Sequence, residues 1–204
     1  MNVALHKEPF HYIEITDMYS KDEYEQMMNE MLQYENDNLL LPPDNTGTAT
    51  DEETEVPLKS NKGLFIDTIF NRRECSKILT LNRKLFAVLA SDITNDSWFF
   101  KGKPSNHDFT LLSYYENSDY YRPHIDGTDI TALTWFYKKP KKFTGGDLLF
   151  TEYDIKIECK ENYTIIFPGN IRHEVSKVFI DAEYSNNQNG RFTMTQFLTN
   201  KYNG

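Results

Sequence analysis

Cysteine is nearly absent: Cys75 and Cys159 are the only two in 204 residues, and no Cys-x-x-Cys pair occurs. That excludes a dense disulfide framework and a cysteine zinc cluster, and leaves two free, buried thiols as the expectation. Long apolar runs are also missing. Nothing approaches the roughly 18 consecutive apolar residues of a membrane-spanning helix, and Met1 to Phe10 has no basic segment leading into an apolar stretch. The expectation is a soluble, cytoplasmic chain with no membrane partner. Basic residues are the minority charge, 22 Lys and Arg against 31 Asp and Glu, for a net charge of −9. Broad binding to phosphate backbones rests on Lys and Arg, so no broad nucleic-acid surface is expected. The local run Lys138, Lys139, Lys141 and Lys142 reads as a solvated hairpin. Histidine is scarce too, with His6, His11, His107, His124 and His173 making up the whole set. A metal centre must therefore combine few imidazoles with carboxylates.

Aromatic residues, by contrast, make up 14% of the chain, enough large side chains to fill the core of one domain over residues 1–204. Ile13 and Ile15 suggest a short strand. Ser20-Lys-Asp-Glu23 matches a capping box, and Tyr24, Met27, Met28, Met31 and Leu32 then recur at helical spacing. The methionines read as core packing because their spacing is that of the helix face itself. Residues 36–62 carry Pro42-Pro43, Asn45-Thr46-Gly47 and the acidic residues Asp51, Glu52, Glu53 and Glu55, without periodicity. Such a segment is either a functional loop or an unordered insertion. Residues 63–70 read as a strand and 75–90 as a second helix, with Ile78, Leu81, Leu85, Val88 and Leu89 on one side.

From Asp108 onward, extended segments fall at 108–115, 120–126, 129–138, 147–152, 154–159, 163–167, 173–180 and 191–199, split by turn residues. Short strands at this spacing predict a double-sheet jelly roll, mainly β with flanking helices. Residues 1–107 would then support a jelly-roll core over 108–199. Inside that core, His124 and Asp126 are two apart, so on an extended backbone both side chains point to one face. An imidazole and a carboxylate converge there. They form two-thirds of the 2-His-1-carboxylate triad that leaves positions open on Fe(II). His173 follows the turn signal Phe167-Pro-Gly-Asn170 and opens an apolar-alternating run. Farther on, Arg191 and Thr193 share a face just after Asn189-Gly190, where a guanidinium can grip a carboxylate through two parallel bonds.

The ordered set His-x-Asp, Gly145-Gly146, His and Arg resembles the Fe(II)- and 2-oxoglutarate-dependent dioxygenases, most closely the prolyl 4-hydroxylase-like branch, over about residues 108–199. This resemblance implies a double-stranded β-helix fold and a C–H hydroxylation. Iron would sit on His124, Asp126 and His173, with 2-oxoglutarate and O2 as co-substrates and ascorbate as reductant. Arg191 would hold the distal carboxylate with Thr193 beside it, Tyr115 would hydrogen-bond 2-oxoglutarate, and Leu148 would pack on its carbons. Tyr137 corresponds to a pocket aromatic of many relatives, although Tyr-Lys-Lys stands where they read Tyr-Leu-Asn, so Phe136 is the alternative inward residue. By position, 36–62 corresponds to a substrate lid.

One departure concerns spacing. His173 and Arg191 are eighteen residues apart, farther than in relatives, and the surplus Asp181 to Gly190 reads as an extended hairpin split between two arms. Arg172 and Lys177 are alternative cations, but neither precedes an Arg-x-Thr pattern. The leading substrate is a proline in a protein or peptide, followed by a free amino acid, another small molecule or an alkylated base. Two other classes fit the triad alone: a non-catalytic cupin-like metal module and a zinc hydrolase. Arg191 separates the oxygenase from both, because neither needs a cation at that place.

Overall fold

The computed structural model describes residues 1–47, 49–51, 53–103 and 105–200. Its strands are β1 (Asn2–His6), β2 (Tyr12–Thr16), β3 (Lys62–Phe65), β4 (His107–Tyr115), β5 (Tyr121–His124), β6 (Ile130–Phe136), β7 (Phe143–Gly145), β8 (Leu148–Phe150), β9 (Ile155–Ile157), β10 (Tyr163–Pro168), β11 (His173–Val175), β12 (Val178–Ile180) and β13 (Arg191–Thr199). Helix α1 spans Lys21–Asn36, α2 Lys77–Leu81 and α3 Lys84–Leu89. One sheet runs in the order β1-β2-β10-β6-β13-β4-β3, a second in the order β5-β11-β8-β9, and β12 pairs with β7. Every pairing between these strands is antiparallel. This is the predicted jelly roll with helices on one side.

Alternation along the central strands sorts the core into two layers. Phe192, Met194 and Leu198 of β13 lie with Leu112 and Tyr114 of β4, Phe136 of β6 and the α1 residues Tyr24, Met27, Met28 and Met31. The opposite faces of the same strands contribute Tyr115, Leu133 and Trp135, which pack with Leu148, Phe150, Ile165 and Phe167 between the sheets. Ser20 starts α1 as predicted: its hydroxyl accepts from Glu23 N while Glu23 reaches back to Ser20 N. Among the described residues no helix is long and apolar enough to cross a membrane.

Several local expectations are corrected. The single helix over 75–90 is broken into α2 and α3, because Asn82 is buried and its side chain bonds Thr110 Oγ1 and Arg73 instead of continuing a helix face. The strand over 63–70 stops at Phe65, where Asp67 turns its carboxylate onto Arg73 and Thr110 N. Likewise, the run 173–180 is two strands in different pairings, divided where Ser176 bonds Asp147. Strands β1 and β7 were not anticipated, and Cys75 is exposed while Cys159 is buried. The lysines at 138–142 are not a free hairpin. Lys138 bonds Asn187 O, Lys139 pairs with Glu161 and Lys141 donates to Cys159 O, pinning a link that passes from one sheet to the β7–β12 pair.

The surplus before Arg191 is not an extended hairpin either. β12 pairs with β7 and β13 with β4 and β6, so residues 181–190 form a turn-rich crossing. Gln188 anchors that crossing to the end of α1 through Leu32 O, Glu35 and Asn36. Arg191 keeps its register because Tyr115 opposes it on β4, whatever the length of the crossing.

Phe136 packs on Tyr24 with ring centroids 4.9 Å apart, on the helix side of the sheet. Phe136→Leu should therefore cost roughly 1–2 kcal/mol of unfolding free energy by urea denaturation. Affinity for a divalent metal should stay unchanged; a metal-binding defect without a stability loss would place Phe136 on the interior face.

Candidate metal and anion site

Strand β5 ends on His124 and β11 begins on His173, and the two are directly opposed in the antiparallel ladder. Asp126 is set by its own backbone, whose N–H donates to Gly169 O at 2.9 Å. As a result one ligand atom from each of His124, Asp126 and His173 lies within 4.8 Å of the others. His124 Nε2 stands 3.5 Å from Asp126 Oδ1, and His173 Nε2 stands 3.6 Å from Asp126 Oδ2. Both imidazoles use Nδ1 on a backbone carbonyl, His124 on Arg122 O at 2.8 Å and His173 on Ile171 O at 2.9 Å. Those bonds fix the tautomer and leave both Nε2 lone pairs directed at one point, the orientation a metal needs. Thr131 donates to Asp126 Oδ2 and so orients the carboxylate. Tyr121 stacks on the His124 ring at 3.4 Å.

Burial is deep, with His124 and His173 at 6% and 3% exposure. Desolvation pushes the His173 pKa down to about 4, with the Asp126 carboxylate opposing and His124 adding to the shift. For Asp126 burial acts upward, but the two histidines and Thr131 outweigh it and the carboxyl is held below its usual value. The metal-free site is thus a neutral imidazole and an ionised carboxylate at neutral pH, a hard and borderline donor set suited to Fe(II).

Deeper between the sheets, Arg191 is fully buried; among the described residues none of Nε, Nη1 and Nη2 has a well-formed hydrogen bond, and its charge acts on the Tyr115 hydroxyl and the Cys159 thiol. Among the described residues no carboxylate pairs with it. Its guanidinium lies 4.5 Å from the Tyr115 ring centre and 5.8 Å from that of Trp135. Thr193 Oγ1 and Trp135 Nε1 are also buried without partners among the described residues. A buried charge with nothing opposite it is costly, and three orphaned polar groups facing one interior fit an anion with several acceptor oxygens. Gly146 makes room for the arginine: at φ +70 it has no side chain, and a Cβ there would come within 2.7 Å of Arg191 Cδ.

The predicted residues therefore fall into two groups. His124, Asp126 and His173 come together, and Tyr115, Thr193 and Leu148 share the interior with Arg191. Tyr137 packs, half-buried, against the same interior cluster, but the rings at the Arg191 guanidinium are those of Tyr115 and Trp135. The Tyr137 hydroxyl accepts from Glu161 N at 2.9 Å and its ring packs on Phe143. Phe136 is on the helix side, whereas Trp135 opposes Thr193 in register and faces the Arg191 guanidinium. Arg172 is exposed on Pro123 O and Lys177 lies over the Tyr120 ring, away from Tyr115 and Trp135. Two residues of the 36–62 segment went unanticipated, Lys59 and Asn61. Residues 58–60 run against β5, with Lys59 opposing Tyr121 and Ser60 N donating to Tyr120 O. No periodic signal marks them, since only the pairing partner sets which way they face.

No protein-family model and no curated protein matches the chain. Solved structures do resemble it. A Pseudomonas putida prolyl-4-hydroxylase aligns with TM-score 0.63 at 15% identity, covering 94% of this chain and 93% of its own. A Trichoplax adhaerens prolyl hydroxylase in complex with a hypoxia-inducible-factor peptide fragment aligns at 0.65 and 13%, covering 92% and 83%. A viral collagen prolyl hydroxylase from Paramecium bursaria Chlorella virus-1, solved with 2-oxoglutarate, aligns at 0.60 and 14%, covering 93% and 96%. At such identities the likeness establishes a shared fold over nearly the whole chain.

A histidine whose native pKa lies below its unfolded value binds its proton more readily when unfolded, so stability falls as pH drops from about 6.5 toward 4. In the metal-free protein His173 should contribute a loss of roughly 2–3 kcal/mol between pH 7 and 4.5. Urea denaturation at both values should show that loss in the wild type and a smaller one in His173→Gln; equal losses would refute it.

Proposed function

We propose that the protein is an Fe(II)- and 2-oxoglutarate-dependent dioxygenase that hydroxylates an unactivated C–H bond, with a proline in a protein or peptide as the leading substrate. The carrying observation is the pairing of a three-ligand metal site with an uncompensated Arg191 in the same interior. A cupin-like storage module or a zinc hydrolase has no use for that cation. The prolyl assignment draws on the shared fold with three prolyl hydroxylases, one of them holding a peptide.

In this reading His124, Asp126 and His173 hold the iron, and the carboxylate offsets part of its charge. Arg191 receives the distal carboxylate of 2-oxoglutarate through its fork, with Thr193 and the Trp135 N–H taking remaining lone pairs. Tyr115 adds a phenol kept neutral by burial. Leu148 and Phe150 keep water out of the interior. When bound, iron and 2-oxoglutarate supply the oxidising chemistry, in which O2 is consumed and 2-oxoglutarate ends as succinate and carbon dioxide. Ascorbate would serve as the external reductant that keeps iron in the ferrous state.

Succinate formation from 2-oxoglutarate should require Fe(II), O2 and reductant, and equal turnover in excess chelator would end this reading. Asp126→Ala should abolish Fe(II) binding at neutral pH without unfolding the protein, because the set loses its anionic member; unchanged affinity in a metal titration would place the site elsewhere.

For the co-substrate, Arg191→Ala should weaken 2-oxoglutarate binding at least about tenfold, since each charge-assisted bond contributes roughly 1.5–3 kcal/mol. Arg191→Lys should lose less, keeping the charge without the fork. Metal affinity should barely move in either variant, and calorimetric titrations of metal and 2-oxoglutarate separate the two effects.

A further inference from the structure

Lys59 is 4% exposed and Asn61 fully buried, although both are polar and both belong to a loop. Gly63 opposes Ser113 on β4, and Ser113 opposes Thr193 on β13, so Gly63 lies on the interior face. Asn61 sits at the bend before β3 and Lys59 at the bridge to Tyr121 of β5, so the chain passes from one sheet to the other with both side chains buried. The bridge between Lys59 and Tyr121 places the lysine at the metal end, where its Nζ lies 5.5 Å from the centre of the ring stacked on His124.

Asn61 is left with an open acceptor, and Lys59 contacts a ring but no anion among the described residues. Asn61 donates through Nδ2 to Lys62 O, while its Oδ1 is buried without a partner. Lys59 Nζ makes no hydrogen bond or ion pair among the described residues. Burial lowers the ammonium pKa to about 8, outweighing the opposing influence of the Asp126 carboxylate. Metal binding would draw Asp126 away as a counter-charge. A buried ammonium beside a cation-binding site, with an orphaned acceptor two residues away, is a poor design for stability alone.

We propose that Lys59 and Asn61 form a substrate subsite in which Lys59 takes a carboxylate of the substrate and Asn61 Oδ1 accepts from an adjacent N–H or O–H. The substrate is then an acid: a residue with a free α-carboxylate, or one followed by an acidic side chain in a peptide. This rests on the dioxygenase reading of the same site and narrows it. Arg191 already holds one anion at the other end of the interior, so the two cations divide co-substrate and substrate between them.

The test uses full-length protein with Mn(II) and 2-oxoglutarate under nitrogen, reading ligand binding by ligand-observed NMR. Two matched pairs serve as probes: N-acetyl-L-proline against N-acetyl-L-prolinamide, and the C-terminally amidated peptides Gly-Pro-Asp-Gly against Gly-Pro-Asn-Gly. In one pair the wild type should prefer the acid by about tenfold or more, and the pair showing it identifies the carboxylate source. Lys59→Met should erase the preference and Lys59→Arg should retain most of it, with Mn(II) and 2-oxoglutarate affinities within about twofold of wild type. The subsite is overturned if the wild type binds acid and amide alike or binds none of the probes, or if Lys59→Met keeps the preference. It is equally overturned if Lys59→Met weakens 2-oxoglutarate itself, which would assign the lysine to the co-substrate. Failure of the wild type to bind Mn(II) and 2-oxoglutarate would instead sink the dioxygenase reading and the subsite with it, and the separate titrations tell the two failures apart.

Discussion

A guanidinium buried between two sheets with no carboxylate opposite it is the constraint on which the rest of this structure depends. Removing an unpaired charge from water is among the most costly events in folding, and what the fold supplies in return is modest: the faces of Tyr115 and Trp135 and a gap where Gly146 has no side chain. Arg191 is locked by ladders to β4 on one side, and Thr193 to Trp135 of β6 on the other. A cation set by two ladders, with no carboxylate partner among the described residues, is what the proposed co-substrate role requires.

The metal end works by the same logic with the charges reversed. Asp126 remains ionised in a nearly closed site because Thr131 and two imidazoles stabilise the carboxylate. Each imidazole is oriented by a carbonyl two residues before it, Arg122 O and Ile171 O, so β5 and β11 repeat one local device on opposing strands. Direct opposition of His124 and His173 in the ladder brings them together without any loop having to close.

Residues 36–62 matter for a different reason. Part of this segment is joined to β5 through Ser60 N on Tyr120 O, Tyr120 N on Ser60 Oγ and Arg122 N on Leu58 O. Ala49 N also reaches the Tyr121 hydroxyl. Here the segment is a wall of the site, and its two interior polar residues are carried by backbone pairing to the strand that bears His124.

Much of the site was legible because it depends on short-range rules. A spacing of two on an extended chain puts His124 beside Asp126 and Arg191 beside Thr193, and the Ser20–Glu23 capping box marks the start of α1. The jelly roll followed from short strands punctuated by turns. What alternation cannot say is which of two faces is the interior, since that is decided by where α1 packs. Hence Trp135 faces the interior with Arg191 while Phe136 packs on the helix side. Pairing partners were equally invisible: whether β12 joins β13 or β7, and whether Lys59 lies against Tyr121, are choices among long-range hydrogen-bond ladders with no local signature. Local periodicity thus determined the chemistry this chain carries, while tertiary pairing alone decided which polar groups lose water together and so which of them face a ligand.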